Sequence, residues 1–143
     1  MLHPGLELAQ LATAATAVRL SLHVLAATIF VGGQLTVAGL LTTVRSLGSG
    51  AARAVAQRFA TLAWPAYVVL VGTGFWNVVA TKPSTEPAAW RVVLIVKIVV
   101  VALAGAAAYA HQRSTSKAGL AAFGSIAGTA SLAAVVLGVL LAG

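Results

Sequence analysis

One stretch constrains this chain more than any other. Between Arg19 and Arg45 run 25 residues, LSLHVLAATIFVGGQLTVAGLLTTV, without a single Asp, Glu, Lys or Arg. As a helix rising 1.5 Å per residue they extend about 37 Å, enough to cross the ~30 Å hydrocarbon core of a bilayer. Three further apolar stretches follow, and charged residues make up only 8% of the chain against 60% hydrophobic ones. A mean hydropathy of +1.01 and this shortage of charge, where soluble domains carry about 25%, define a membrane protein. The expected fold is all-α: an antiparallel bundle of four transmembrane helices, forming one integral membrane domain over residues 1–143 with no separate soluble part.

Composition also closes off several chemistries. Cysteine is absent and the one methionine is Met1, which excludes disulfides, thiolate metal sites and a methionine-lined copper path. The net charge of +7 is spread over span boundaries rather than gathered on one face among aromatics, so nucleic acid is not an expected partner. The opening MLHPGLELAQ has no basic n-region and carries Glu7, so no cleaved signal peptide is expected. The chain has neither a Ser-His-Asp arrangement nor a phosphate-binding glycine loop. Its two carboxylates, Glu7 and Glu86, fall in separate segments, a poor basis for hydrolytic acid-base chemistry.

Leu2, Leu6, Leu8 and Leu11 alternate with polar residues and alanines, so residues 1–18 form either an interfacial helix or an extension of the first span. The spans are expected at about 19–44, 60–80, 89–110 and 118–142. RSLGSGAARAVAQR reads as a basic loop punctuated by Gly and Ser, TKPSTEPAA breaks the chain with two prolines, and HQRSTSK forms the last connection. Arg45, Arg53, Arg58, Arg113 and Lys117 then lie on one side, and Arg19, Lys82 and Arg91 on the other. The more basic side is expected to be cytoplasmic, in a bacterial cytoplasmic membrane, with both termini outside and Trp76 and Trp90 in the outer aromatic belt. Gly32, Thr36 and Gly39 on the first span, and Gly124, Gly128, Ser131 and Gly138 on the fourth, form small-residue stripes suited to close helix packing.

An ionisable side chain inside a span is costly enough to mark a candidate functional site. His23 lies four residues from Arg19, Asn77 five from Lys82, and Lys97 six from Arg91, which places all three roughly 6–9 Å below one surface. A pocket in the outer half of the membrane is therefore expected to be lined by His23, Asn77, Lys97 and Trp76. At 100° per residue, His23, Ala27, Phe30 and Gln34 share one face of the first span, and Lys97, Ala104 and Ala108 share one face of the third. No carboxylate stands inside any span. Lys97 must snorkel to the surface, reach Glu7 or Glu86, lose its proton, or bind an external anion such as a lipid phosphate or a porphyrin carboxylate. His23 has a plainer alternative, a neutral ring hydrogen-bonded to a neighbouring helix. His111, beside Arg113 in HQRSTSK, reads as a solvated cytoplasmic histidine. His3 is a separate metal candidate, because an amino terminus, two backbone nitrogens and an imidazole at position three suit copper(II) or nickel(II).

The runs HVLAATIFVGGQL in the first span, TGFW at the end of the second and WRVVLIVKIVVVALAGAAAYAHQR in the third resemble the copper-resistance protein D (CopD) family of bacterial membrane proteins. They also look distantly like the HemJ type of protoporphyrinogen oxidase. The likeness covers nearly the whole chain. It implies copper handling, or haem and porphyrin binding, at the outer half of the membrane, with His23 and Lys97 as ligand-site residues and haem b or copper as the cofactor. After GGQL the chain reads VAGLLTTVRS, without the aromatic, arginine- and histidine-rich end expected of HemJ, which ranks porphyrinogen oxidation second. A haem here would be held by His23 alone, by His23 with Lys97 or His3, or across a homodimer. An expectation of a different class is a non-catalytic accessory subunit whose glycine stripes dock a larger membrane complex. No catalytic residue is singled out.

Overall fold

The computed structural model describes residues 13–142. They form four helices, each long and apolar enough to cross a membrane: α1 (Ala14–Ser46), α2 (Ala51–Thr81), α3 (Ala88–Arg113) and α4 (Lys117–Ala142). Among the described residues there is no strand. Thr13 starts α1, its hydroxyl accepting from the Thr16 amide at 3.3 Å and satisfying one of the free N–H groups of the first turn. The helix therefore takes in residues 14–18 as an extension of the first span. His3, Glu7 and the leucines before position 12 lie outside the described residues.

The basic segment between the first two spans is shorter than its composition suggests. Only residues 47–50 leave the helices, turning at Gly48, whose φ of +143° is a conformation side chains rarely adopt. Directly after it, α2 starts at Ala51 rather than near Ala60, because AARAVAQRFA is built mostly of good helix formers. Arg53 and Arg58 thus stand on helix. Pro65 lies well inside α2 instead of at its start; lacking an N–H, it leaves the Thr61 carbonyl without its helical donor. At the far end α2 stops at Lys82, in the left-handed region at φ 53°, ahead of a short 3₁₀ turn over Pro83–Thr85. Pro87 then precedes α3, where a missing N–H costs nothing.

Cross-helix bonds show the antiparallel order and close the bundle into a ring. His23 of α1 meets Thr73 of α2. The Tyr67 hydroxyl of α2 donates to the Val101 carbonyl of α3 at 2.9 Å, and Trp64 Nε1 to Gln112 Oε1 at 2.8 Å. Trp90 near the start of α3 donates to the Leu141 carbonyl near the end of α4 at 3.2 Å. Gln34 of α1 reaches the buried Ser131 of α4 at 3.4 Å.

The interior is built from small residues and the exterior from large ones, the reverse of a soluble domain. Ala26, Ala63, Ala66, Ala104, Ala107, Ala127 and Ala130 are buried, whereas Val68, Phe75 and Val139 are about 70% exposed. In lipid this ordering has a physical reason: large side chains gain nothing from leaving hydrocarbon, while small ones let backbones approach. Phe30 and Val31 anchor the one larger apolar cluster, with Phe59, Tyr67 and Leu70 around it and the Phe30 and Tyr67 rings 4.9 Å apart.

The glycines that matter for packing are only partly those of the sequence stripes. Gly124 lies under the His111 ring, but Gly39 and Gly128 face open space. On α1 the close approach occurs at Gly33, which the Phe59 ring covers, and on α3 at Gly105, which lies under Tyr67. The cause on α1 is a π turn over Thr28–Gly32, which holds an extra residue and shifts every later side chain off the regular 100° wheel.

Candidate functional site

His23 projects from α1 towards α2, and its Nδ1 lies 2.9 Å from the hydroxyl of Thr73, which is only 6% exposed. Thr73 is held by its own helix, with its hydroxyl 2.7 Å from the Val69 carbonyl and 3.2 Å from that of Leu70. Carbonyls only accept, and a hydroxyl has one proton, so that proton goes to the backbone. Nδ1–H of His23 must then be the donor to Thr73. The neutral ring consequently carries its lone pair on Nε2, the nitrogen able to bind a metal or accept a proton. Nε2 has no hydrogen-bond partner among the described residues. Gly74 lies beside the ring, with His23 Cε1 3.5 Å from where a side chain there would begin.

Lys97 stands on α3 near the same level: Tyr67 pairs with Val101, Thr73 lies six residues beyond Tyr67, and Lys97 lies four residues back from Val101 on the antiparallel α3, an offset of about 3 Å. Its Nζ rests against Gly138 of α4, 2.9 Å from where a Cβ would sit, so that glycine is what makes room for the ammonium. No carboxylate and no hydrogen-bond acceptor among the described residues faces it, and its charge is within electrostatic range of His23. Glu86 stays in the connection between α2 and α3 and does not reach it.

The other expected members are placed differently. Asn77 is half-buried one turn beyond Thr73, on the face towards α1, and its Oδ1 is buried without a partner. Trp76 turns away and is 44% exposed on the outside of the bundle, where it does not meet His23. Two open grooves mark the surface, one of ≈350 Å³ at Trp64, Pro65 and Gln112 and one of ≈450 Å³ along Leu20, Val24 and Thr28; neither reaches His23, Asn77 or Lys97. His111 is not merely solvated. Half-buried against Gly124, it donates from Nδ1 to the Leu120 carbonyl at 2.8 Å and so ties α3 to α4.

Sequence reasoning missed Thr73 and Gly138. Thr73 had a signal, since it stands one turn from Asn77 and so shares its face; Gly138 stood out only as a small residue of the fourth span's packing stripe. Among the described residues no three of His, Asp and Glu gather closely enough to share a metal ion.

These features define a four-span integral membrane protein with a histidine and a lysine brought together near one end of its bundle. Comparison with protein-family models, curated proteins and solved structures gives no match.

Proposed function

We propose that the protein binds an anionic metal macrocycle of the haem type, which His23 would hold through the lone pair of Nε2 and Lys97 would hold by neutralising a carboxylate. The observation that carries this is the fixed His23 ring, its Nδ1 occupied by Thr73 and its Nε2 without a partner among the described residues, beside an ammonium that no carboxylate among those residues faces. The donor count separates haem from bare copper. A macrocycle brings four nitrogens and needs one or two more ligands, whereas copper(II) needs several from the protein, and the described residues bring no cluster of them together. The likeness to CopD-type and HemJ-type proteins points towards the same pair of residues. On the charge count, His23 and Lys97 lie towards the outer face of a bacterial cytoplasmic membrane.

Titration of the purified protein in lipid nanodiscs with haem, metal-free protoporphyrin and copper(II) separates these ligands. Haem is expected to bind tightest, and Lys97→Met to weaken it on the order of tenfold, the worth of one charge-assisted contact. Stoichiometric copper binding without haem binding contradicts the proposal. The second reading, an accessory subunit, is favoured by Gly39, Gly72 and Gly128, which face open space on the bundle's outer surface. It predicts that His23→Ala and Lys97→Met leave function intact while Gly128→Leu abolishes association with a membrane partner.

A further inference from the structure

We infer that the groove between α2 and α3 at the basic end of the bundle is a site for one anionic phospholipid, with its phosphate facing Arg53 and Arg113 at the rim. This site is independent of what His23 binds. The groove has a volume of ≈350 Å³ and is lined by Gln57, Ala60, Thr61, Trp64, Pro65 and Gln112. The α2 members share one helix face, and Arg53, one turn before Gln57, extends that face towards the start of the helix. On α3 the groove meets the last turn, where Gln112 and Arg113 stand. Because the helices run antiparallel, the two arginines lie at the same end of the bundle.

Direct contacts fix the α3 wall. Trp64 Nε1 donates to Gln112 Oε1 at 2.8 Å, so the Gln112 amide turns its Nε2 hydrogens away from the indole as donors. Tyr109 meets Trp64 edge-on with ring centroids 6.3 Å apart, and the Arg113 guanidinium lies 5.2 Å from the centre of the Tyr109 ring. A guanidinium laid over a ring keeps its N–H groups for an anion. From the helix start inward, α2 presents Arg53, then the Gln57 amide, then Ala60, Trp64 and Pro65. From its end inward, α3 repeats the order with Arg113, Gln112 and Tyr109. Cation, amide donor and apolar surface match, in turn, the phosphate, ester carbonyls and acyl chain of a phospholipid. The step from Arg53 to Gln57 is about 6 Å, close to the depth of the polar layer on each side of the hydrocarbon core. Charge selects the headgroup. Arg45, Arg53, Arg58, Arg113 and Lys117 gather at this end, whereas Glu86, the one carboxylate among the described residues, lies at the other. A lipid of net negative charge is favoured there over a zwitterion, whose ammonium the arginines repel.

Trp64 itself reports occupancy. With Trp76→Phe and Trp90→Phe, both near the opposite end, it is the one tryptophan left in the full chain. The protein is reconstituted in phosphatidylcholine vesicles, phosphatidylglycerol or phosphatidylcholine with brominated acyl chains is added stepwise, and quenching of Trp64 fluorescence is followed. Brominated phosphatidylglycerol is expected to bind on the order of tenfold better than brominated phosphatidylcholine, the worth of charge-assisted contacts from two surface arginines. Its quenching should rise in a saturating step at low brominated fraction. Arg53→Gln with Arg113→Gln should bring the two lipids within about twofold of each other. Arg45→Gln with Lys117→Gln removes as much charge from the same end and should leave the preference intact. Equal quenching by the two lipids overturns the proposal. So does an equal loss in both double variants, which assigns the preference to diffuse surface charge. A gradual rise across the whole phosphatidylglycerol range, with no saturating step, overturns it too. That titration keeps every arginine, so it holds even where a variant does not fold.

Discussion

Thr73 decides which nitrogen of His23 is available. Its hydroxyl proton is committed to the Val69 and Leu70 carbonyls, which leaves only lone pairs for the ring. Thr73→Val keeps the shape but leaves Nδ1–H buried with nothing to accept it. Loss of one interhelical hydrogen bond within a membrane costs about 1 kcal/mol, so a modest fall in thermal stability in detergent is expected. The larger effect is on the site: a ring free to turn can present either nitrogen, and haem affinity should fall on the order of tenfold. Thr73→Ser retains the hydroxyl and should restore most of both. Equal haem affinity in Thr73→Val and wild type would remove the hydroxyl from the positioning of His23. At this scale the sequence was informative about His23, Asn77 and Lys97, whose polarity stands out in apolar spans. It was uninformative about Trp76, because one position from Asn77 is a 100° turn, enough to move a side chain from the bundle to the lipid.

Among the elements, α1 holds the feature that periodicity does not reveal. TIFVG contains no Pro and no charge, so nothing in its composition announces the π turn at Thr28–Gly32. The turn lets two polar contacts coexist on one helix, His23 with Thr73 before it and Gln34 with Ser131 after it. Deleting the exposed Ile29 should restore a regular α-helix and rotate one half against the other by about 100°, breaking one of these contacts. The chain has no cysteine, so Gln34→Cys with Ser131→Cys gives a clean reporter. A short bifunctional thiol reagent should bridge that pair in the full-length helix, and the deletion should lose either this bridge or the His23-dependent Soret band. Retention of both would show that the turn carries no register. Span number and core type were legible because uncharged runs and connections rich in Gly, Pro and Ser are strong local signals. The start of α2 was not, because Arg53 and Arg58 read as loop charges while the intervening alanines permit helix.

For the whole molecule, small residues inside and large ones outside are what a bilayer solvent selects, and the four helices are long enough to meet it. The distribution of lysine and arginine predicts that both termini face outward. Ser49, between α1 and α2, and Ser84, between α2 and α3, are both exposed. With Ser84→Cys, a membrane-impermeant maleimide should label intact cells; with Ser49→Cys, only opened ones. The opposite result would turn the site towards the cytoplasm. The central measurement is the absorption spectrum of the untagged protein, purified in mild detergent from haem-replete cells, beside that of His23→Ala. A Soret band in the wild type that is absent from an equally folded His23→Ala protein is the expected result. A band of equal strength in both, or none in folded wild-type protein, contradicts haem-type binding at His23.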